Sequence, residues 1–178
     1  LVRGDDPETG EPGPDVAGQI AFGCQALWDS QIPAVEGRRW IEQIAAALGD
    51  GRCHDWLTYI HAVLAMQLDD FPVTHRLLDE LIERPETDPE VLAQSVGLMA
   101  FLACRQHPDR ARLLIDQAER VCADGDLSGE FAVPGQWAAG CLALYENRIA
   151  DARARFEEAH GLLSVSYTHL RAHETATY

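Results

Sequence analysis

Acidic and histidine side chains are the residues of this 178-residue chain that could support acid–base or metal chemistry. The acids include adjacent pairs on predicted helices, such as Asp69-Asp70, Asp79-Glu80 and Glu157-Glu158. Neighbouring positions on a helix point about 100° apart, so such a pair does not aim two carboxylates at one reacting atom. His54 and His61 are seven residues apart and share a face of a predicted helix, but no third ligand follows at a matching spacing. We interpret the acids as solvated faces and the histidines as surface or core-edge residues.

Short motifs that mark catalytic or phosphate-binding loops are absent from the sequence. There is no G-x-x-x-x-G-K-[ST], no G-x-G-x-x-G, no H-E-x-x-H and no G-x-S-x-G. All 14 basic residues are Arg, so reactions that need a lysine amine are excluded. The sequence therefore predicts a non-enzyme with no catalytic residue, no bound cofactor and no metal. An all-helical enzyme stays open as a third hypothesis, which a convergent set of titratable groups would revive.

Five cysteines are spread along the chain without a C-x-x-C spacing: Cys24, Cys53, Cys104, Cys122 and Cys141. Four of them sit among apolar residues at helical spacing, where a free thiol behaves as a small buried hydrophobe. We expect inert packing thiols in a reducing cytoplasm.

Charge and apolar content limit the class of protein. The formal charge of -15 opposes direct contact with nucleic acid or an anionic membrane, because both need positive potential facing the phosphates. Hydrophobic residues make up 47% of the chain without an apolar run near 18 residues. This pattern favours a soluble, cytoplasmic, globular chain over a membrane span or a disordered segment.

Apolar residues recur every three or four positions from Asp15 onward, and breaks at Gly, Pro and Asp divide this pattern into eight predicted helices. Their predicted spans are 15–31, 34–48, 53–69, 71–84, 88–106, 108–123, 129–146 and 149–163. Four start or stop signals support these boundaries: Asp88-Pro89, Pro108, Ser128 and Gly49. Residues 1–14 are acidic and rich in Gly and Pro, which predicts a flexible lead-in. Because Leu1 is not Met, we expect the start to be internal to a longer chain.

The second helices of successive pairs share one spacing, in which a small residue or Thr is followed by apolar residues four and seven positions later. The four sets are Gly37-Ile41-Ile44, Thr74-Leu78-Leu81, Ala111-Ile115-Ala118 and Ala152-Phe156-Ala159. They begin 37, 37 and 41 residues apart. This interval predicts an all-α fold, a right-handed stack of four antiparallel helix pairs over residues 15–163. An ordinary helical bundle is the alternative.

The fourth unit carries the pattern most fully. Its sequence WAAGCLALYENRIADARARFEEA, which begins at Trp137, resembles a tetratricopeptide repeat. Gly140 and Ala152 are expected where the two helices cross, and Phe156 in the seam to the neighbouring unit. A larger side chain at the crossing would overpack it at a cost of about 1–3 kcal/mol.

The end of the chain continues no pattern established before it. The run VSYTHLRAHET, residues 165–175, matches residue for residue the translation of a transposase-type sequencing-library adaptor. We therefore expect 164–178 to be a non-native tail, in which His169, His173 and Glu174 carry no selected function.

The stretch ALWDSQIPAVEGRRWIEQIAAAL, residues 26–48, resembles the opening of the helical-repeat region in bacterial signal-transduction ATPases and LuxR-type ATPase-linked transcriptional regulators. The residues that carry the resemblance are Leu27, Trp28, Glu36, Gly37, Arg38, Arg39, Trp40 and Glu42. In that group the repeats sense an inducer or hold an ATPase module inactive. The resemblance implies a segment of a larger regulator, with the ATPase and DNA-reading motifs outside this sequence.

A stack of helix pairs forms a concave groove that suits a peptide or another helix. We predict that the first helices line it through Gln25, Trp28, Tyr59, Gln94 and Trp137, with core packing as the alternative for the tryptophans. The leading interpretation is a non-catalytic interaction or ligand-sensing segment, whose partner is a peptide, a protein, a small inducer or another domain of the parent chain. The alternative is a stand-alone tetratricopeptide-like scaffold or adaptor.

Overall fold

The structure is a computed structural model that describes residues 33–48, 52–127 and 129–175. These residues form seven α-helices and contain no β-strand. The helices are α1 (Ala34–Leu48), α2 (Arg52–Gln67), α3 (Phe71–Glu83), α4 (Pro89–Ala103), α5 (Pro108–Asp124), α6 (Gly129–Tyr145) and α7 (Ile149–Thr175). The predicted all-α class is confirmed. The first predicted helix, over 15–31, lies outside the described residues.

The described helices begin and end close to the predicted boundaries, with one exception. Helix α7 continues past the predicted end at Leu163 to Thr175. The predicted end was wrong because loss of the apolar pattern does not itself stop a helix, and no Gly or Pro occurs between Leu162 and Thr175. The origin of this tail stays a prediction.

Helix starts follow the local chemistry of their first residues. Pro89 and Pro108 are the first residues of α4 and α5, where the missing N–H would have no partner within the helix. The Asp88 carboxylate accepts a hydrogen bond from the Glu90 N–H at 3.0 Å, as predicted for a cap. Asp70 caps α3 in the same way by accepting from the Val73 N–H. The signals at Gly49 and Ser128 lie outside the described residues.

The described residues divide into two compact units, one that ends at Val91 and one that begins at Leu92. In the first unit, α2 contacts both α1 and α3. Large apolar side chains from all three helices are fully buried: Ile41, Leu57, Ile60, Leu64, Leu78 and Leu81. The buried Asp55 carboxylate accepts from Arg84 Nη1 at 2.6 Å and from the Asp88 N–H at 3.2 Å, which ties the residues after α3 to α2.

In the second unit, α6 packs against its neighbours through small residues. A Cβ atom added at Gly97 of α4 would lie 2.7 Å from the Cβ of Pro134. One added at Gly135 would lie 3.3 Å from Ala118 of α5. The Cys104 thiol donates to the Ala138 carbonyl at 3.3 Å. Close backbone approach is therefore possible only because these positions carry little or no side chain.

The α2–α3 and α6–α7 hairpins have turns of the same type. Asp69 and Asn147 adopt left-handed φ angles of 58° and 59°, a conformation that Asp and Asn tolerate better than most residues. In each turn the next residue's N–H returns to a carbonyl five residues earlier, as in a Schellman motif. These hydrogen bonds are Asp70 N–H to Ala65 O (2.9 Å) and Arg148 N–H to Ala143 O (2.8 Å). The turn therefore places Thr74 and Ala152 at the same register in their hairpins.

The predicted repeat positions share one environment. The four leading residues are all buried: Gly37, Thr74, Ala111 and Ala152. Most of the other predicted packing residues are also buried: Ile41, Leu78, Ile115 and Gly140. Phe156 is half-buried. The Thr74 hydroxyl donates to the carbonyl of Asp70, the cap of its helix, at 3.0 Å and lies 3.4 Å from the Ala62 carbonyl of α2.

Candidate functional site: an exposed apolar face on one helix hairpin

Helix α6 is apolar on every side. Its sequence GEFAVPGQWAAGCLALY contains one charged residue, Glu130. One side of the helix is buried through Phe131, Ala138 and Leu142, but Trp137 and Leu144 are exposed. A helix that is apolar all round is normally covered all round. The exposed side of α6 is therefore a candidate for contact with another molecule or segment.

Helix α7 extends this surface. The most exposed apolar side chains of the hairpin are Trp137 (51%), Leu144 (46%), Tyr145 (62%), Ile149 (58%) and Leu163 (42%). They make up half of the ten large exposed hydrophobic residues found in the described parts of the chain. Together with the half-buried Phe156 they are called here the α6–α7 apolar face. Large apolar groups that cluster on one surface often mark an interaction site.

An aromatic pair holds the middle of this face. The ring centroids of Trp137 and Phe156 lie 5.0 Å apart with an interplanar angle of 58°, a favourable tilted arrangement. The Phe156 ring lies over Gly140, where an added Cβ would be 2.6 Å from Cε1. Beside the pair is an open groove of about 620 Å³. Its lining residues are Leu144, Ile149, Ala152, Arg153, Phe156, Glu157 and His160.

Charged groups form the rim of the groove. Arg153 Nε donates to Glu157 Oε1 at 2.7 Å, and both side chains are mostly exposed. Away from the groove lining, at the turn between α6 and α7, Arg148 donates to Glu146 and to Asp151, and Arg112 of α5 also donates to Glu146. These arginines, Arg148 first, lower the pKa of the Glu146 carboxyl. The groove therefore combines apolar lining residues with the polar side chains of Arg153, Glu157 and His160.

The predicted groove residues differ in their exposure to solvent. Gln25 and Trp28 lie outside the described residues. Tyr59 and Gln94 are buried, with 4% and 8% of their surface exposed. Trp137 is half-exposed and belongs to the α6–α7 apolar face. Sequence reasoning missed Leu144, Tyr145, Ile149 and Leu163. The lack of any polar side on α6 is a signal that could have found Leu144 and Tyr145.

A second cluster joins α1, α2 and α3. Arg38 donates to Glu42 at 3.1 Å and to Asp70, 32 residues away, at 2.9 Å. This guanidinium lowers the pKa of Asp70. His61 Nε2 lies 3.5 Å from Glu42 Oε1, and burial lowers the pKa of His61. Arg38 and Glu42 come from the Glu-Gly-Arg-Arg-Trp motif, so in this unit the motif forms an ion-pair network between helices.

The cysteine chemistry agrees with packing thiols. Burial raises the pKa of Cys104 to about 11, and its thiol donates to the Ala100 carbonyl at 3.2 Å as well as to Ala138. Burial also raises the pKa of Cys122 and Cys141. Cys24 lies outside the described residues, and the side chain of Cys53 is not described. Within the described residues, no three His, Cys, Asp or Glu side chains group closely enough to hold a metal ion.

No family model, curated protein or solved structure matches the chain. The similarity to the repeat region of signal-transduction ATPases and LuxR-type regulators therefore stays a prediction. Across the described ranges, no helix combines the length and apolarity needed to span a membrane.

Proposed function

We propose that this chain is a non-catalytic helical-repeat segment that binds a helix of a protein partner, as part of a larger cytoplasmic regulator. The observation that supports this function best is the α6–α7 apolar face, with Trp137 and Phe156 at its centre and charged residues around it. Interfaces are typically built in this way, from a buried aromatic core and a polar rim.

Repetition within the chain supports the stacked-pair fold on which this proposal depends. The α2–α3 and α6–α7 hairpins have turns of the same type, and the first residue of each of the four repeat sets is buried. A right-handed stack of such pairs would cover one apolar side of each hairpin with the next. The open α6–α7 apolar face is the surface that this arrangement leaves for a partner.

Mutations at the face test the proposal. Helical peptides selected from a displayed library against the folded chain should bind at the face, and Leu144→Ser should weaken binding about tenfold, a loss of roughly 1.4 kcal/mol. Leu113→Ser is the matched control, because Leu113 is an exposed leucine of α5 outside the groove lining. Absence of saturable binding, or equal weakening by both variants in titration calorimetry, would contradict the proposal.

The stand-alone scaffold remains the second proposal. The genomic DNA around this sequence separates the two. A Walker loop encoded upstream in the same frame supports the regulator, whereas an initiator Met just before Leu1 supports the scaffold. A small apolar inducer is a further candidate ligand, because the groove volume is within the range of small-molecule sites. Such a compound would compete with the selected peptides.

A further inference from the structure

We infer that the α6–α7 apolar face is a stacking site for one further helix hairpin of the same repeat type. The first helix of that hairpin would lie in the groove beside Phe156 and place an acidic side chain against Arg153. This inference rests on the proposed helical-repeat function and names the partner of the same face.

The second unit already contains the packing that this occupant would repeat. Helix α6 packs against the preceding pair, α4 and α5, with Pro134 and Gly135 close to Gly97 and Ala118. The side of α6 that makes this contact has small residues, which allows its backbone to approach closely. One helix of a hairpin therefore covers the pair before it through a small-residue face.

Alignment of the repeat sets identifies the residues of α7 that correspond to those of α5 in this contact. The sets that begin at Ala111 and Ala152 align Arg112 with Arg153 and Ile115 with Phe156. Ile115 is buried, whereas Phe156 is half-buried and lines the open groove. The same kind of position is thus covered on α5 and uncovered on α7.

Charge supplies the second criterion for the occupant. Arg112 of α5 donates to Asp109 of its own helix and also to Glu146, which follows the last residue of α6, the helix that packs on α5. Arg153, at the matching position of α7, pairs with Glu157 of its own helix and lies on the open rim. A hairpin of the same type would bring the counterpart of Glu146 to Arg153. An acid just after a small-faced helix is therefore the chemistry that fits this site.

A tandem duplication tests the inference in the full chain. A second copy of residues 123–163 is inserted directly after Leu163, with the copied tryptophan changed to Phe, and the chain is labelled with 5-fluorotryptophan. The copy carries the counterparts of Gly135 and Glu146. We expect severalfold less broadening of the Trp137 fluorine resonance by a soluble gadolinium chelate, together with a higher thermal midpoint.

Two charge-reversal variants of the duplicated chain sharpen the test. Arg153→Glu should restore broadening at Trp137, because it places the new glutamate beside the copied counterpart of Glu146. Arg120→Glu makes the same charge change at an exposed position of α5 and should not restore it. The inference is overturned if Trp137 is as accessible as in the unduplicated chain, or if the copy adds no helical circular dichroism. A chain that binds helical peptides at this face yet fails these measurements keeps the proposed function and loses the stacking site.

Discussion

At the scale of single residues, the crossing of α6 and α7 depends on the absence of a side chain at Gly140. A Cβ there would lie 2.6 Å from Cε1 of Phe156, so Gly140→Ala must displace the ring or the helix. We expect a loss of about 1–3 kcal/mol of unfolding free energy, measured by urea denaturation.

Gly161→Ala is the control for that substitution. Gly161 lies in α7, the partner helix of the crossing, and apart from the adjacent backbone of its own helix nothing lies within 4 Å of an added Cβ. Because Ala favours the helix over Gly, this variant should gain up to about 1 kcal/mol. Equal effects of the two substitutions would show that the crossing at Gly140 is not tight.

His61 gives the second residue-scale prediction. Its pKa is lowered first by burial and then by Arg38, and the other charges near it are Glu42, Asp70 and Arg76. The unfolded chain therefore binds this proton more readily than the folded chain. The resulting stability is present above the usual pKa of about 6.5 and is lost as pH falls through the range below it.

The measurement is the unfolding free energy of the natural chain and of His61→Gln across that pH range. As pH falls, the unfolding free energy of the natural chain should decrease relative to that of His61→Gln. A difference that does not change with pH would mean that the folded state does not lower the pKa of His61.

At the scale of elements, the left-handed residue in each hairpin turn controls how the two helices meet. Asn147 has a φ of 59°, which a β-branched side chain tolerates poorly. We expect Asn147→Val to cost about 1–2 kcal/mol in thermal or urea unfolding. Asn147→Gly, which tolerates this φ, should be far less harmful, and a similar loss for both would point away from the turn.

Sequence reasoning was reliable for elements because helix boundaries have local causes. Asp88 acts through a hydrogen bond to the nearby backbone N–H of Glu90, and Pro89 and Pro108 act through their fixed φ and missing N–H; the structure confirms both starts. It failed where a local cause was missing, at the end of α7. The buried Thr74 and Ala152 also follow from spacing alone, because residues at a fixed interval lie on the same side of equivalent helices.

At the scale of the whole molecule, the formal charge of -15 should weaken the folded state by self-repulsion. Exposed ion pairs such as Arg153–Glu157 are each worth only about 0–1 kcal/mol, so their screening is the smaller effect. Raising NaCl from about 20 to about 200 mM shortens the screening length from roughly 20 to roughly 7 Å. We expect the urea midpoint to rise.

The same titration with KCl separates general screening from binding of a particular ion. A midpoint that falls with both salts would show that attractive ion pairs outweigh the repulsion.

The sequence by itself determined the helical class, most helix boundaries and the small residues at the buried repeat positions, because periodicity and capping act between residues close in the chain. Only the tertiary structure decided which apolar groups stay exposed. Leu142 and Leu144 are near neighbours of the same type on α6, yet one is buried and the other open. The Arg38–Asp70 contact likewise joins residues 32 positions apart. Exposure and such contacts depend on what other helices cover, and the pattern of one helix does not contain that information.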